Sequence, residues 1–126
     1  MSVRLELARA LVGQQRVEDA AVEYARALQL GEQDAATWIE FGRFAREQHR
    51  DPRGAELAFR KALELAPNSA EAHGCLGLAL FDLADFEGAS AELQAALSLG
   101  PRDAPWRGDA ENVLVLAHLR MREKGR

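Results

Sequence analysis

Cysteine is nearly absent from the sequence, and Cys75 is the only one. A single thiol excludes an intrachain disulfide and any metal cluster built from several thiolates. Basic residues are not in excess either, since the net charge is −4 at pH 7. This balance argues against nucleic acid as a partner, because a surface that follows phosphate groups needs positive charge.

Long apolar runs are also absent. None approaches the roughly 18 residues of a membrane span, and the N-terminus lacks the basic-then-apolar pattern of a signal peptide. The sequence therefore predicts a soluble, cytoplasmic protein that does not insert into a membrane. A chain from which a signal or anchor had been removed would have the same sequence.

None of the patterns that carry catalysis or metal binding is present. His49, His73 and His118 fall in different predicted elements of the chain, without HxxxH or HExxH spacing. Cys75 lies two residues from His73, which places the two side chains on different faces of a helix, so we expect a plain thiol. The sequence has no glycine-rich phosphate-binding loop. We expect no catalytic residues, no metal and no cofactor, and therefore no enzyme.

What the sequence does contain is internal repetition. Small residues recur at intervals of 35 and then 34 residues, and the clearest sets are Ala20, Ala55, Ala89 and Ala27, Ala62, Ala96. A period in this range is typical of solenoids built from helical pairs. Such solenoids offer an extended surface to a partner and carry no catalytic framework of their own.

Each repeat is predicted to contain two amphipathic helices joined by a short turn. The repeats span residues 1–34, 35–69 and 70–103. Asp51-Pro52 begins a helix, because aspartate caps free N–H groups and proline suits the first turn. The segment Asn68-Ser69-Ala70-Glu71 resembles a capping box with Asn68 as the cap.

Small residues at helix crossings explain the predicted packing, since two helices approach closely only where side chains are small. Ala8, Gly42 and Gly77 hold matching places on the first helices. Larger side chains are expected to fill the space between adjacent pairs. They are Leu7, Phe41, Leu76, Tyr24, Phe59 and Leu93.

After the third repeat, residues 104–122 are predicted to form a capping helix that starts at Pro105 and covers the open edge of the solenoid. A basic tail follows at residues 123–126. The inward stripe of the cap is Trp106, Ala110, Val113, Leu114, Ala117 and Met121, and its outer face carries Arg107, Glu111, Arg120 and Arg122.

The repeated residues resemble the tetratricopeptide repeat family. The second repeat supplies the fullest match, with Trp38, Phe41, Gly42, Ala55, Phe59, Ala62 and Pro67. Departures are Arg4 and His73, where the family favours a large aromatic residue, and Glu32, where it favours proline. The resemblance implies a single all-α domain over residues 1–126. That domain is a right-handed α-solenoid of three helix pairs with a C-terminal capping helix, seven helices in all.

The resemblance also implies that the first helix of each pair lines a concave, partner-binding groove. Ile39 and Phe81 are the expected anchors, and Arg43 is expected to hold a carboxylate or a backbone carbonyl. The apolar groove residues are predicted to lie on a surface that the core does not need. The whole predicted set is Leu5, Arg9, Val12, Ile39, Glu40, Arg43, Arg46, Leu78, Phe81 and Asp82.

One alternative limits this interpretation, and one kind of partner is disfavoured by the groove residues. Arg9 can instead pair with Glu6 or Glu40, and Arg43 with Glu47, as ordinary neighbours on helix surfaces. Family members that hold the acidic tail of cytosolic chaperones use basic or amide residues at five inward places. Here those places are Leu5, Arg9, Glu40, Glu71 and Cys75, of which only Arg9 suits a carboxylate.

The function predicted from these features is a non-enzymatic adaptor that holds a peptide or helix of another protein in its groove. Alternatives are a dedicated chaperone for a secreted or assembling client, and a scaffold whose copies stack end to end as a homo-oligomer. Residues 70–103 carry one basic and six acidic side chains. They form either a solvated face or a docking patch for a basic partner or another copy's arginine-rich tail.

Overall fold

The computed structural model describes residues 3–30 and 34–124, and within them the chain forms helices and no strand. The predicted all-α class is confirmed. The helices of the described residues are α1 (Val3–Gly13), α2 (Val17–Gln29), α3 (Ala35–Glu47), α4 (Pro52–Leu65), α5 (Ala70–Asp82), α6 (Phe86–Leu99) and α7 (Arg107–Lys124).

Side-chain caps fix where four of these helices begin. The carboxylate of Asp51 accepts a hydrogen bond from the Gly54 N–H, with Pro52 in the first turn, which confirms the start predicted for α4. Asp34 and Asp85 cap α3 and α6 in the same way. The cap of α5 is Ser69, whose hydroxyl accepts from the Ala72 N–H. The prediction that Asn68 is that cap is therefore wrong.

The turn inside each helix pair contains one residue with left-handed backbone geometry. Gln15, Arg50 and Ala84 have φ angles of 60°, 52° and 63°. They follow the same intervals of 35 and 34 residues as the helices themselves. None of them is glycine, the residue that adopts this geometry without steric cost, so no residue type in the sequence marks this feature.

The helices stack as pairs, with α1 on α2, α3 on α4 and α5 on α6. Among the described residues α3 contacts α5 and α5 contacts α7, whereas α2, α4 and α6 do not contact one another. Helices α3, α5 and α7 therefore lie on the inner side of the stack. Helix α7 packs on α6 and touches α5, as α5 packs on α4 and touches α3, so it occupies the place of a first helix in a fourth pair.

Glycine permits the close crossings within the second and third pairs. A Cβ at Gly77 would lie 2.7 Å from Leu93 Cγ, and one at Gly42 would overlap the Phe59 ring. Phe59, Leu76 and Leu93 are fully buried, as predicted. Leu7, expected to pack in the same manner, is 45% exposed, because no described helix pair precedes α1. Its predicted role in the core is wrong.

The core consists of two clusters of buried side chains. The larger one joins α3, α4, α5 and α6, while the smaller one belongs mainly to α1 and α2. Phe44 of α3 connects the smaller cluster to the rest, with its ring centroid 4.9 Å from that of Tyr24. The first pair is therefore attached through few aromatic contacts.

Helix α7 covers α6 as predicted, although it begins at Arg107, two residues after Pro105. Ala110 and Ala117 are buried, and the rest of the predicted inward stripe is half-buried. Arg107, expected on the outer face, instead donates hydrogen bonds to the carbonyls of Leu97, Gly100 and Pro101 at the end of α6. That expectation is wrong, because the free carbonyls at a helix C-terminus attract a guanidinium.

Two sequence predictions fall wholly or partly outside the described residues. Glu32 lies in the gap at 31–33, and the end of the predicted basic tail lies at 125–126. Within the described residues, no helix is long and apolar enough to cross a membrane.

Candidate functional site

Two ion pairs cross the inner side of the stack between α3 and α5. Arg43 of α3 lies 2.6 Å from the carboxylate of Glu71, and Arg46 lies 2.6 Å from that of Asp82. Both acidic partners belong to α5, one at each end. The ion pairs therefore link two first helices and leave a groove between them.

The groove contains a pocket of about 220 Å³, bounded by α3, α5 and the start of α7. Its wall combines apolar, aromatic and charged side chains. The lining residues are Arg43, Arg46, Glu47, Phe59, Glu71, Gly74, Cys75, Leu78, Trp106, Asp109 and Ala110. The first helices of three successive pair positions thus meet at one concave site, the kind of place where ligands bind.

Cys75 lies in the wall of this pocket and is 9% exposed. Burial raises the pKa of its thiol, and the nearby Arg43 guanidinium only partly offsets that effect. The thiol is therefore neutral at pH 7, which fits the sequence-based expectation of a plain thiol.

Three of the predicted groove residues belong instead to the junction of α1, α2 and α3. Arg9 donates two hydrogen bonds to Glu40, at 2.8 and 2.6 Å, and the Tyr24 hydroxyl donates a third at 2.8 Å. Hydrogen bonds from Arg9 and Tyr24 hold the pKa of Glu40 below its usual range against the opposing effect of burial. Val12 is half-buried against the smaller core cluster. One of the pairings proposed for Arg9, that with Glu40, is the one observed.

The apolar residues predicted for the groove are largely used by the core. Leu5 is 5% exposed and Ile39 is 8% exposed, because α1 and α3 each turn these side chains toward their neighbouring helices. Phe81 packs against the larger cluster and meets the Phe86 ring edge-on at 5.3 Å. The expectation that these three lie on a surface not needed by the core is wrong. Leu78 does line the pocket.

Sequence reasoning missed the contribution of α7 to this site. The sequence pattern places Trp106 only in the capping stripe, yet this residue also forms a wall of the pocket together with Asp109. The indole lies against Gly100, where an added Cβ would meet its ring atoms at 2.5 Å. Treating α7 as the first helix of a fourth pair would have placed its N-terminal residues at the groove, as α5 places Glu71.

Within the described residues, no group of three or more histidine, cysteine, aspartate or glutamate side chains is arranged to hold a metal ion. Likewise, no buried side-chain nitrogen or oxygen of that part lacks a hydrogen-bond partner.

The profile of the tetratricopeptide repeat family matches residues 47–121, which is more than half of the chain. The chain belongs to the tetratricopeptide repeat family. The matched segment runs from the end of α3 into α7. It therefore includes the third helix pair and most of the capping helix, both of which contribute residues to the pocket. No curated protein matches the chain.

Solved structures support the same repeat fold. A crystal structure of MamA superimposes with a TM-score of 0.82 at 24% identity, covering 98% of this chain and 67% of that one. The superposition on a second MamA structure covers 94% of this chain and 62% of that one. The chain therefore spans about two thirds of the length of these two structures.

Two further structures share the repeat fold. The first TPR of Spaghetti (RPAP3), bound to the HSP90 peptide SRMEEVD, superimposes with a TM-score of 0.81 at 18% identity. The superposition covers 94% of this chain and 90% of that one. The type III secretion translocator chaperone SycD of Yersinia enterocolitica superimposes with a TM-score of 0.77 at 13% identity. The superposition covers 98% of this chain and 84% of that one. Tetratricopeptide repeats of this kind are protein-interaction modules, whereas the choice of partner depends on the residues of each groove.

Proposed function

We propose that this protein is a non-enzymatic adaptor that binds a peptide or helix of a partner protein in the groove between α3 and α5. The observation that supports this proposal is the pocket on the inner side of the stack, where α3, α5 and α7 converge. Its wall combines apolar side chains, which can bury a partner, with charged side chains, which can orient it, as protein-binding sites do.

An acidic chaperone tail fits this groove poorly. Arg9 is the single basic residue at the five places that relatives use for such tails, and Glu40 already engages it. Arg43 and Arg46 are likewise occupied by Glu71 and Asp82. A carboxylate ligand would have to displace a carboxylate of the protein itself, so we do not propose this kind of partner.

The test compares a variant that fills the pocket with one that adds the same bulk elsewhere. Leu78→Trp projects an indole into the pocket, and Leu57→Trp adds one to α4, where Leu57 is 68% exposed and outside the groove. Purified wild-type and variant proteins are used to retain partners from a cell extract, which are then identified by mass spectrometry.

We expect Leu78→Trp to lose at least nine tenths of a specifically retained partner and Leu57→Trp to keep it. Circular dichroism of both variants establishes that the helices are intact. Loss of the partner with Leu57→Trp alone would place binding on the outer face and contradict the proposal.

A second candidate function, end-to-end self-assembly, is favoured by exposed apolar residues at both ends of the stack. Val3 and Leu7 are 78% and 45% exposed on α1, and Val115, Leu116 and Leu119 are 58%, 44% and 46% exposed on α7. Exposed apolar patches commonly mark association surfaces. Sedimentation at several concentrations tests self-assembly. A protein that stays monomeric at every concentration would eliminate this candidate. If an assembly forms, we expect the Leu116→Glu variant to dissociate it.

A further inference from the structure

We propose that the pocket between α3, α5 and α7 binds a lysine or arginine side chain carried by the partner's peptide. This inference rests on the proposed function, because it specifies the chemistry of the segment that the groove holds. It also reverses the role expected of Arg43, which the sequence analysis predicts to hold an acidic group or a carbonyl.

The size of the pocket fits a single side chain. Its volume of about 220 Å³ is below the roughly 300–1,000 Å³ of sites for drug-sized ligands. It is several times the roughly 30 Å³ that one water molecule occupies in the liquid. A long side chain that projects from a peptide is of the right size to fill such a space.

The charges of the pocket favour a cation. Both arginines of the wall are already engaged by carboxylates of α5. The exposed side chains of Glu47 and Asp109 also line the pocket, and among the described residues neither carboxylate forms an ion pair or a hydrogen bond, although Glu47 interacts electrostatically with Arg43. Three carboxylates (Glu47, Glu71 and Asp109) and two guanidinium groups (Arg43 and Arg46) line the pocket, so its wall carries a net negative charge. The excess of acidic over basic residues in 70–103 adds to it.

The aromatic wall also favours a cation. The face of an indole attracts a guanidinium or ammonium group placed within about 6 Å of the ring, and Trp106 lines the pocket beside Asp109. Leu78 and the buried Phe59 also line the pocket and supply apolar surface for the methylene stem. A lysine or arginine matches both halves of this arrangement, since its stem is apolar and its tip is charged.

A random-sequence peptide library displayed on phage tests the proposal whichever protein supplies the peptide. Selection uses the full chain as wild type and as the double variant Glu47→Gln with Asp109→Asn. The matched control is Glu64→Gln with Glu123→Gln, which changes the net charge equally at side chains that are 66% and 68% exposed and outside the pocket. We expect basic residues to be enriched with the wild type and the control, and the enrichment to disappear with the pocket variant.

One enriched peptide is then synthesised with its basic residue intact and with citrulline or norleucine in that place. We expect the replacement, and likewise the pocket variant, to weaken binding about tenfold, with the difference diminishing at high salt. Arg43→Gln should strengthen binding about threefold, because it frees Glu71 and removes a positive charge from the wall. A partner held by Arg43 through a carboxylate would be weakened by the same change.

Cys75 reports where the peptide binds, because it is the chain's only cysteine and lies in the pocket wall. A peptide in the pocket slows alkylation of this thiol by N-ethylmaleimide. Enriched peptides that protect Cys75 but show no basic preference, or an acidic one, would overturn the inference and leave the adaptor function standing. If no peptide is enriched, or none protects Cys75, both proposals fail.

Discussion

At the residue scale, the turns inside the three helix pairs share one left-handed backbone conformation, and none of them uses glycine to adopt it. A non-glycine residue in the left-handed region costs about 1–2 kcal/mol, and the fold accepts this cost at Gln15, Arg50 and Ala84. The packing of the two flanking helices determines the path of each turn, so the residue in the turn takes the left-handed conformation that this path requires. Ala84 is the clearest case, because its exposed methyl group offers no compensating interaction.

We therefore expect Ala84→Gly to stabilise the protein by about 0.5–1 kcal/mol, because relief of left-handed strain exceeds the added entropy of the unfolded chain. The measurement is the free energy of unfolding from urea denaturation. Ala10→Gly is the control with the opposite sign, since Ala10 is exposed within α1 and glycine costs about 1 kcal/mol in a helix. Destabilisation by both changes would show that the turn is not strained.

Glu40 gives a second prediction at this scale, concerning pH. Its pKa is lowered on folding by Arg9 first and also by Tyr24, so its contribution to stability is fully present above the unfolded value of about 4.3. That contribution is lost as the pH falls through the lower, folded value. We expect Glu40→Gln to cost about 1 kcal/mol at pH 7, allowing for partial exposure.

The difference between wild type and Glu40→Gln should then shrink as the pH falls below about 4, which urea denaturation at a series of pH values measures. The control is Glu64→Gln, an exposed residue paired with Lys61. We expect it to change stability by less than about 0.5 kcal/mol at every pH. A Glu40→Gln difference that persists unchanged at about pH 3 would rule out the ionised carboxylate as its source.

At the scale of the element, α7 both closes the solenoid and forms part of the groove. Its inward stripe packs on α6, Arg107 binds the carbonyls that end α6, and the Ser90 hydroxyl lies 2.9 Å from His118 Nε2. The helix also presents an exposed apolar stripe on its other side. An element with so many attachments is integral to the fold and more than an appendage.

We expect a chain that ends at Arg102 to aggregate or to unfold at a much lower temperature. The loss removes the half-buried Trp106, Val113 and Leu114, worth roughly 1 kcal/mol each at half burial, and it exposes α6 to solvent. This is a large share of a typical stability of about 5–15 kcal/mol. Thermal denaturation and sedimentation measure the effect. The control is a chain that ends at Arg122, which keeps the stripe; equal melting temperatures for the two would refute the prediction.

At the scale of the whole molecule, the stack divides into a loosely attached first pair and a continuous remainder. Helices α2 and α3 contact each other over a smaller surface than α4 and α5 do. The attachment relies on Tyr24, Phe44 and the Arg9–Glu40 pair. In repeat proteins, stability is a sum over repeats and their interfaces, so a weak interface permits local opening.

Hydrogen exchange followed by mass spectrometry should therefore show weaker protection in α1 and α2 than in α5 and α6. Glu40→Gln should accelerate exchange in α1 and α2 while leaving α5 and α6 unchanged, because it weakens only the first interface. Uniform protection across all pairs, or a uniform change on mutation, would indicate one cooperative unit.

The fold could be predicted well from the sequence because each helix pair needs the same types of residue at the same places. Small residues such as Ala8, Gly42 and Gly77 are needed wherever two helices cross, so they recur at regular intervals. The site was less predictable because it depends on pairings between residues that are distant in the chain. Which carboxylate engages Arg43, and whether Trp106 faces the groove, are set by the stacking geometry and by no local pattern.

Since Trp106, Asp109 and Ala110 belong to the pocket wall, the pocket exists only while α7 is docked. The proposed peptide binding is therefore thermodynamically linked to docking of α7: a peptide in the pocket would hold this helix in place, and detachment of the helix would release the peptide. The opposite face of α7 carries Val115, Leu116 and Leu119. A molecule that contacts this outer face and another part of the stack at the same time would favour the docked state of α7, and would thereby raise the affinity of the groove for a peptide.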